Sequence, residues 1–314
     1  MQPHIEIEST RSALLALGER FWGWEIPLYL FLGGLVAGLM VTVSASILLW
    51  GRDKVTAAMK AGLLAAPILL SAGMFALLLD LTLKLNVVRF YMTLRPSSPM
   101  SLGSWVLLLV YPVQLLLIIA LPTQLLAGWL PRTPWMKRIR RFAEDHVRVF
   151  AWAGVGTGVA LGLYTGILLS TSVARPLWSS SALGLLFLVS GASTGVAAVM
   201  LAEREPATQE RLARMDVALI VIESATIGLW MIGLLTQGPL YKQAAGLLLW
   251  GPYAPVFLGV VAFGGLLLPA ALEVLALRSK AMHSRIPPLL VLLGGFVLRF
   301  VVVYAGQDVG FVRA

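Results

Sequence analysis

The chain has 314 residues, of which 59% are hydrophobic and only 12% charged, and its mean hydropathy is +0.87. That balance excludes a soluble domain, and the absence of Cys excludes disulfides, thiolate metal sites and cysteine-ligated clusters. A net charge of +9 would suggest nucleic acid in a soluble chain, but here the charges sit between long apolar runs and read as membrane orientation.

Residues 1–20 carry Glu6, Glu8, Arg11, Glu19 and Arg20 without the basic start and short apolar core of a cleavable signal, so the first span is expected to act as the targeting signal. Apolar runs of about 20 residues predict membrane helices. Eight are predicted, at about 24–50, 60–84, 101–127, 147–171, 177–202, 213–236, 246–277 and 286–305. The long seventh run is expected to tilt or break near Pro252 and Pro255. The longest connection, about 128–146, is basic and expected to be partly helical on the inner surface. Fifteen Lys and Arg fall on the first, third, fifth and seventh loops and eight on the other segments, with Arg299 inside the last span. The positive-inside rule then places both termini outside, and the inner basic excess suits anionic lipid.

The predicted fold is an all-α integral membrane protein of eight transmembrane helices in two four-helix halves, 1–171 and 172–314. A weak internal echo supports the halves. Phe31-Leu32-Gly33-Gly34 in span one resembles Phe187-Leu188-Val189-Ser190-Gly191 in span five, and Tyr164-Thr165-Gly166 resembles Tyr304-Ala305-Gly306.

Ionisable groups at membrane depth are costly and default to a functional reading. Span one opens with Trp22, Trp24, Glu25 and Tyr29, then Gly33, Gly34 and Gly38, which let a helix or a flat ligand approach. The bland alternative is an ordinary span with an aromatic belt. Asp80 and Lys84, with Arg89 beyond, mark the outer end of span two. Ser101 and Ser104 open span three, and Tyr164 and Thr165 lie toward the outer end of span four. These groups fall in one layer of the first half. A quinone head group needs donors to its oxygens, a protonatable neighbour and a flat apolar slot, and Tyr phenols and a buried carboxyl supply the first two. Either Asp80 exchanges protons, or Arg89 or Lys84 holds it charged, or Asp80 merely pairs with Lys84 at i,i+4.

The second half carries Asp216 and Glu223 in span six, Glu273 in span seven and Arg299 in span eight. A Glu223–Arg299 pair is expected, either structural or part of an inward proton path with Glu273. Gln307 and Asp308 would contact a partner or meet water. The three histidines, His4, His146 and His283, fall in the tail and the inner loops, so axial haem ligands inside the spans are lacking and no haem is expected. No metal-ligating set is predicted.

Taken together, Trp24 through Gly38, Asp80-Leu81 with Arg89-Phe90, Ser98 through Trp105, Gly162 through Ser170, and Leu298-Arg299-Phe300 through Gln307 resemble the NrfD/PsrC family, the membrane subunits of polysulfide reductase and nitrite-reduction complexes. The resemblance covers nearly the whole chain. It implies a multi-pass subunit of a prokaryotic cytoplasmic (inner) membrane that carries no haem or iron–sulfur cluster and uses menaquinone or ubiquinone as substrate near the outer face. It also implies a docked ferredoxin-like iron–sulfur subunit on that face, linked to a molybdopterin or multihaem cytochrome subunit. Carried over by motif, Tyr164 contacts the quinone and Asp80 lies near it or its proton route. The span-one position that is His in some polysulfide-type members is Tyr29 here. The expected quinone contacts are Tyr29, Tyr164, Thr165 and Arg89, and the expected proton-exchanging groups are Asp80 and Glu25. The rival readings are a secondary transporter and a passive anchor without a quinone site.

Overall fold

The computed structural model describes residues 22–81, 99–129, 133–172, 174–279 and 284–309. The expected site residue Arg89, and with it Lys84, His4 and His283, lies outside the described residues. Among the described residues every regular element is helical, and eight helices are long and apolar enough to cross a membrane. They are Glu25–Trp50, Ala57–Asp80, Pro99–Ala120, Val147–Ser170, Ala182–Ala202, Pro206–Gln237, Pro255–Ser279 and Ile286–Asp308, spans one to eight below.

Local chemistry sets the ends. Span one stops at Gly51, whose φ of 89° suits a residue without Cβ, and the Gly51 N–H donates to the Ile47 carbonyl. The Thr56 hydroxyl caps span two by accepting from the Met59 N–H. Pro206 opens span six, where a missing N–H costs nothing. The predicted seventh run divides. A short helix, Pro239–Leu249, is followed by a turn, and span seven begins at Pro255, so the break falls where Pro252 and Pro255 were expected to place it. Its first part, Pro255–Leu267, is π-helical and passes into an α-helix at Leu268. Span five starts at Ala182 rather than 177, because Trp178 and Ser179 donate backbone hydrogen bonds to Arg175 in a turn that folds Trp178 into the core.

Span one packs against spans two, four, five and eight, and span five against spans four, six and eight. Span three packs on two and four, and span seven on six and eight. Spans one and five are each 72% buried over their most apolar windows, against 28% for spans two and seven, so one and five are the central pair. They meet backbone to backbone. A Cβ at Gly38 would run into the Gly191 carbonyl, and one at Gly195 into the backbone of Gly38. Small residues permit such contact where water gives no hydrophobic drive between helices. Outward side chains such as Ile68, Phe75, Leu229 and Phe263 are exposed and apolar, as a lipid-facing surface requires.

The two ends of the bundle differ. At one, Trp22 and Gln307 exchange hydrogen bonds, Arg175 donates to the Gln307 carbonyl, and the Tyr253 hydroxyl donates to Asp308. The Trp22 and Trp178 rings stack there with centroids 5.1 Å apart, and we call this the tryptophan face. Gln307 and Asp308 are thus engaged within the chain at this end. At the other end, the basic face, Arg52 donates to the Ala120 carbonyl and pairs with Glu144, Thr56 donates to Glu203, and Arg211 lies over the Trp50 ring. Glu144 belongs to the amphipathic helix Pro134–Asp145, the helical part of the predicted basic connection. Partial burial pushes the Glu144 carboxyl up, but Arg140 and Arg52 outweigh it and hold it below the ordinary carboxylate value.

Candidate functional site

The layer expected from the sequence lies toward the tryptophan face of spans one to four. Tyr29 sits one turn into span one, is 1% exposed, and packs beside Gly73 of span two. One turn further on, Gly33 faces the methyl of Thr165 in span four. The Thr165 hydroxyl donates to the Gly162 carbonyl of its own helix at 2.7 Å, so its methyl, not its hydroxyl, meets span one. Tyr164 turns the other way. Its half-buried phenol end rests on Gly103 of span three, where any Cβ would clash with the ring. Tyr29 thus lies one turn nearer the tryptophan face than the Gly33–Thr165 contact, against span two, and Tyr164 lies beside that contact, against span three.

Glu25 occupies the first turn of span one, with its carboxylate lying over Gly23. Asp80 is the last residue of span two and half-buried. The next residue, Leu81, is extended, and both expected partners of Asp80, Lys84 and Arg89, lie outside the described residues. In span three the Ser104 hydroxyl donates to the Ser101 carbonyl.

One residue of this layer was missed from sequence. The indole Nε1 of Trp105 is buried and has no hydrogen-bond partner. A buried N–H without an acceptor loses about 1–3 kcal/mol, so it marks a place where an acceptor belongs. In sequence, a Trp opening a span reads as belt, and only its position just after Gly103 and Ser104 hinted otherwise.

A second polar set lies deeper, in spans five to eight. Arg299 is fully buried. Its Nη1 donates to the Ser190 hydroxyl and the Gly295 carbonyl, its Nη2 to the Phe187 carbonyl, and the guanidinium lies 5.1 Å from the centroid of the Phe187 ring. Gly34 leaves room for the Nη2 end. Glu223 faces this cation, but no direct ion pair forms. Ser190 stands between them, within hydrogen-bonding reach of both. The expected Glu223–Arg299 pair is thus a pair through a serine. Nearer the basic face, Asp216 is fully buried and accepts from Ser193 at 2.6 Å, with Glu273 beside it. Among the described residues no group of three or more His, Cys, Asp or Glu converges as a metal site would. His146, the one described histidine, is exposed, and its Nδ1 meets the Phe142 carbonyl.

The family model described as "Polysulphide reductase, NrfD" matches residues 16–310. The polysulfide reductase C subunit of Wolinella succinogenes is 32% identical over 302 residues, covering 91% of this protein and 94% of the relative. Protein NrfD of Escherichia coli K12 is 29% identical, covering 91% and 95%, and an NrfD homolog of Haemophilus influenzae is 25% identical, covering 91% and 94%. A match of this extent, on eight spans, shows that the chain belongs to the polysulphide reductase (NrfD) family of membrane subunits.

Proposed function

We propose that this chain is the quinone-reactive membrane anchor of a multi-subunit respiratory oxidoreductase, exchanging electrons between menaquinone or ubiquinone and a docked iron–sulfur subunit. The observation that carries the reading is the unmatched Trp105 indole N–H, in the same layer as two phenols seated against glycines. A head group with two carbonyl oxygens offers an acceptor for that indole N–H. Family membership supports it, since a relative is named as one component of polysulfide reductase.

In this reading the bundle has two four-helix halves with both termini outside, so the tryptophan face is the outer face of the cytoplasmic membrane. A ferredoxin-like iron–sulfur subunit docks there and connects to a molybdopterin or multihaem cytochrome subunit. A bound quinol supplies two electrons and two protons. Tyr164 and Tyr29 hold its oxygens by hydrogen bonds, and Trp105 donates a third. Thr165 shapes the wall with its methyl, its hydroxyl being engaged with Gly162. Asp80 and Glu25, at the rim, pass protons to the outer water. Arg89 keeps its assignment as a head-group contact. The protein completes no turnover alone.

The test is made on the intact complex purified from membranes. A reduced quinol analogue is added, and reduction of the partner's iron–sulfur clusters is followed with and without a quinone-site inhibitor. Inhibitor-sensitive reduction is expected, and Tyr164→Phe should slow it about 3–10-fold while assembly stays intact. Intact clusters that exchange no electrons with quinone in either direction would leave a passive anchor. An isolated protein that moves solute in vesicles would leave a transporter.

A further inference from the structure

The quinone layer makes no use of the carboxylates of spans six and seven, and these stand in an arrangement that ordinary packing does not explain. Glu273 is 2% exposed, and neither of its carboxylate oxygens has a hydrogen-bond donor. The Oδ1 of Asp216 is served by Ser193, but its Oδ2 has no donor either. The two carboxyls are within hydrogen-bonding reach of each other. Ionised carboxylates only accept, so two facing acceptors are satisfied when one proton lies between them. Glu273 also lines a cavity of about 120 Å³ beside Met200, Ser284 and Pro287, at the basic face. A water needs roughly 10–15 Å³ of such space, so a few fit.

The arrangement continues inward. Glu223 lies seven residues beyond Asp216 on the same helix, about 10 Å deeper. Ser190 and Ser193 flank this climb on span five, and Ser190 touches Arg299, whose far end reaches Gly34. Gly34 adjoins Gly33, the contact of Thr165. Among the described residues, the charged groups bearing on the pair are Glu223 on span six and, through it, Arg299 on span eight.

We propose that Asp216 and Glu273 hold one shared proton that exchanges with water of the basic face through this cavity, and that Ser193, Glu223 and Ser190 relay protons from it toward Arg299 and the layer of Tyr29. A proton leaving inward is taken up by quinone during its reduction, which consumes one proton with each electron, and is replaced by one from cavity water; no electron moves along the relay. The use of these protons rests on the quinone reading. The shared proton does not.

Two measurements test it. The purified complex, in membranes, is treated with dicyclohexylcarbodiimide, which adds to a protonated carboxyl in an apolar setting and leaves an N-acylurea readable by peptide mass. An adduct on Glu273 or Asp216 at neutral pH, fading as pH rises, is expected. No adduct on either, with a known carbodiimide-reactive membrane carboxyl labelled in the same vesicles, overturns the shared proton. In proteoliposomes with the clusters reduced and quinone as acceptor, Glu273→Gln and Asp216→Asn should slow both proton uptake at the basic face and quinol formation about tenfold or more, while quinol-driven cluster reduction keeps its initial rate. Uptake at the wild-type rate in both variants overturns the relay. Should wild-type complex show no quinol-dependent reduction, the quinone reading falls, and the adduct still decides the carboxyl pair.

Discussion

Spans one to four and spans five to eight both carry polar groups at membrane depth, and they meet the same cost differently. In the first four, the phenols, carboxyls and the Trp105 indole gather near the tryptophan face, several only half-buried, with glycines clearing space around them. In the last four, one cation and three carboxylates are fully or almost fully buried; Arg299 leans on Ser190 and backbone carbonyls, Asp216 on Ser193, and Glu273 on no donor. A group kept near the edge retains capacity to bind something else. A group enclosed in the interior can only exchange what its neighbours already hold, which for hydroxyls and carboxyls is a proton.

The contrast can be broken first at the seam between the two regions. Gly38→Val places new carbon atoms against the Gly191 carbonyl. The seam has no room for them, so the bundle should fail to pack, and monodisperse protein should be lost on size-exclusion chromatography in detergent. A normal elution profile would mean that the seam is looser than described.

Next in size is Arg299→Met, which removes the cation and leaves Glu223 buried without it. Destabilisation of about 3–5 kcal/mol is expected in detergent unfolding, with much of it recovered by adding Glu223→Gln. A single variant as stable as the parent would show that these groups do not satisfy one another. Smaller is Trp105→Phe, which keeps the ring and deletes the donor. Assembly should be unchanged while the quinol KM rises about 3–10-fold. An unaltered KM would remove the indole from the site. Smallest is the surface pairing of Glu144 with Arg52 and Arg140. Because the folded carboxyl lies below its ordinary value, this stabilisation is full above about pH 4.3 and disappears as pH falls through the lower folded value. It is worth about 0.5 kcal/mol at most, read as faster proteolysis within Pro134–Asp145 in acid. Equal digestion rates at both pH values would show that the pairing contributes nothing.

The spans themselves were legible because apolar length is a strong signal. The largest shifts came at span seven, where a turn divides the run, at the end of span three, which stops at Ala120 rather than 127, and at the start of span six. Trp178 shows why boundaries fail. In sequence it continues an apolar run, whereas its indole N–H finds the Val302 carbonyl and draws the preceding turn away from the helix. That Tyr29, Tyr164 and Asp80 lie toward the same end of their spans follows from the alternating direction of the spans alone. What could not be read was which groups touch. Ser190 and Ser193 look like small residues of a packing face, and nothing in their spacing shows that one meets Arg299 and the other Asp216. Asp216 and Glu273 lie on different spans, and a carboxyl–carboxyl contact has no sequence signature.

The backbone contact of spans one and five has a mechanical consequence. A carrier that alternates between two open faces has to part its two bundles along their common seam, as the rocking of one bundle against another demands. Here that seam has no side chains to slide or rotate, since Gly34 and Gly38 lie directly on Gly191 and Gly195. It behaves as a weld rather than a hinge, and a welded frame suits traffic that moves by hopping between fixed stations.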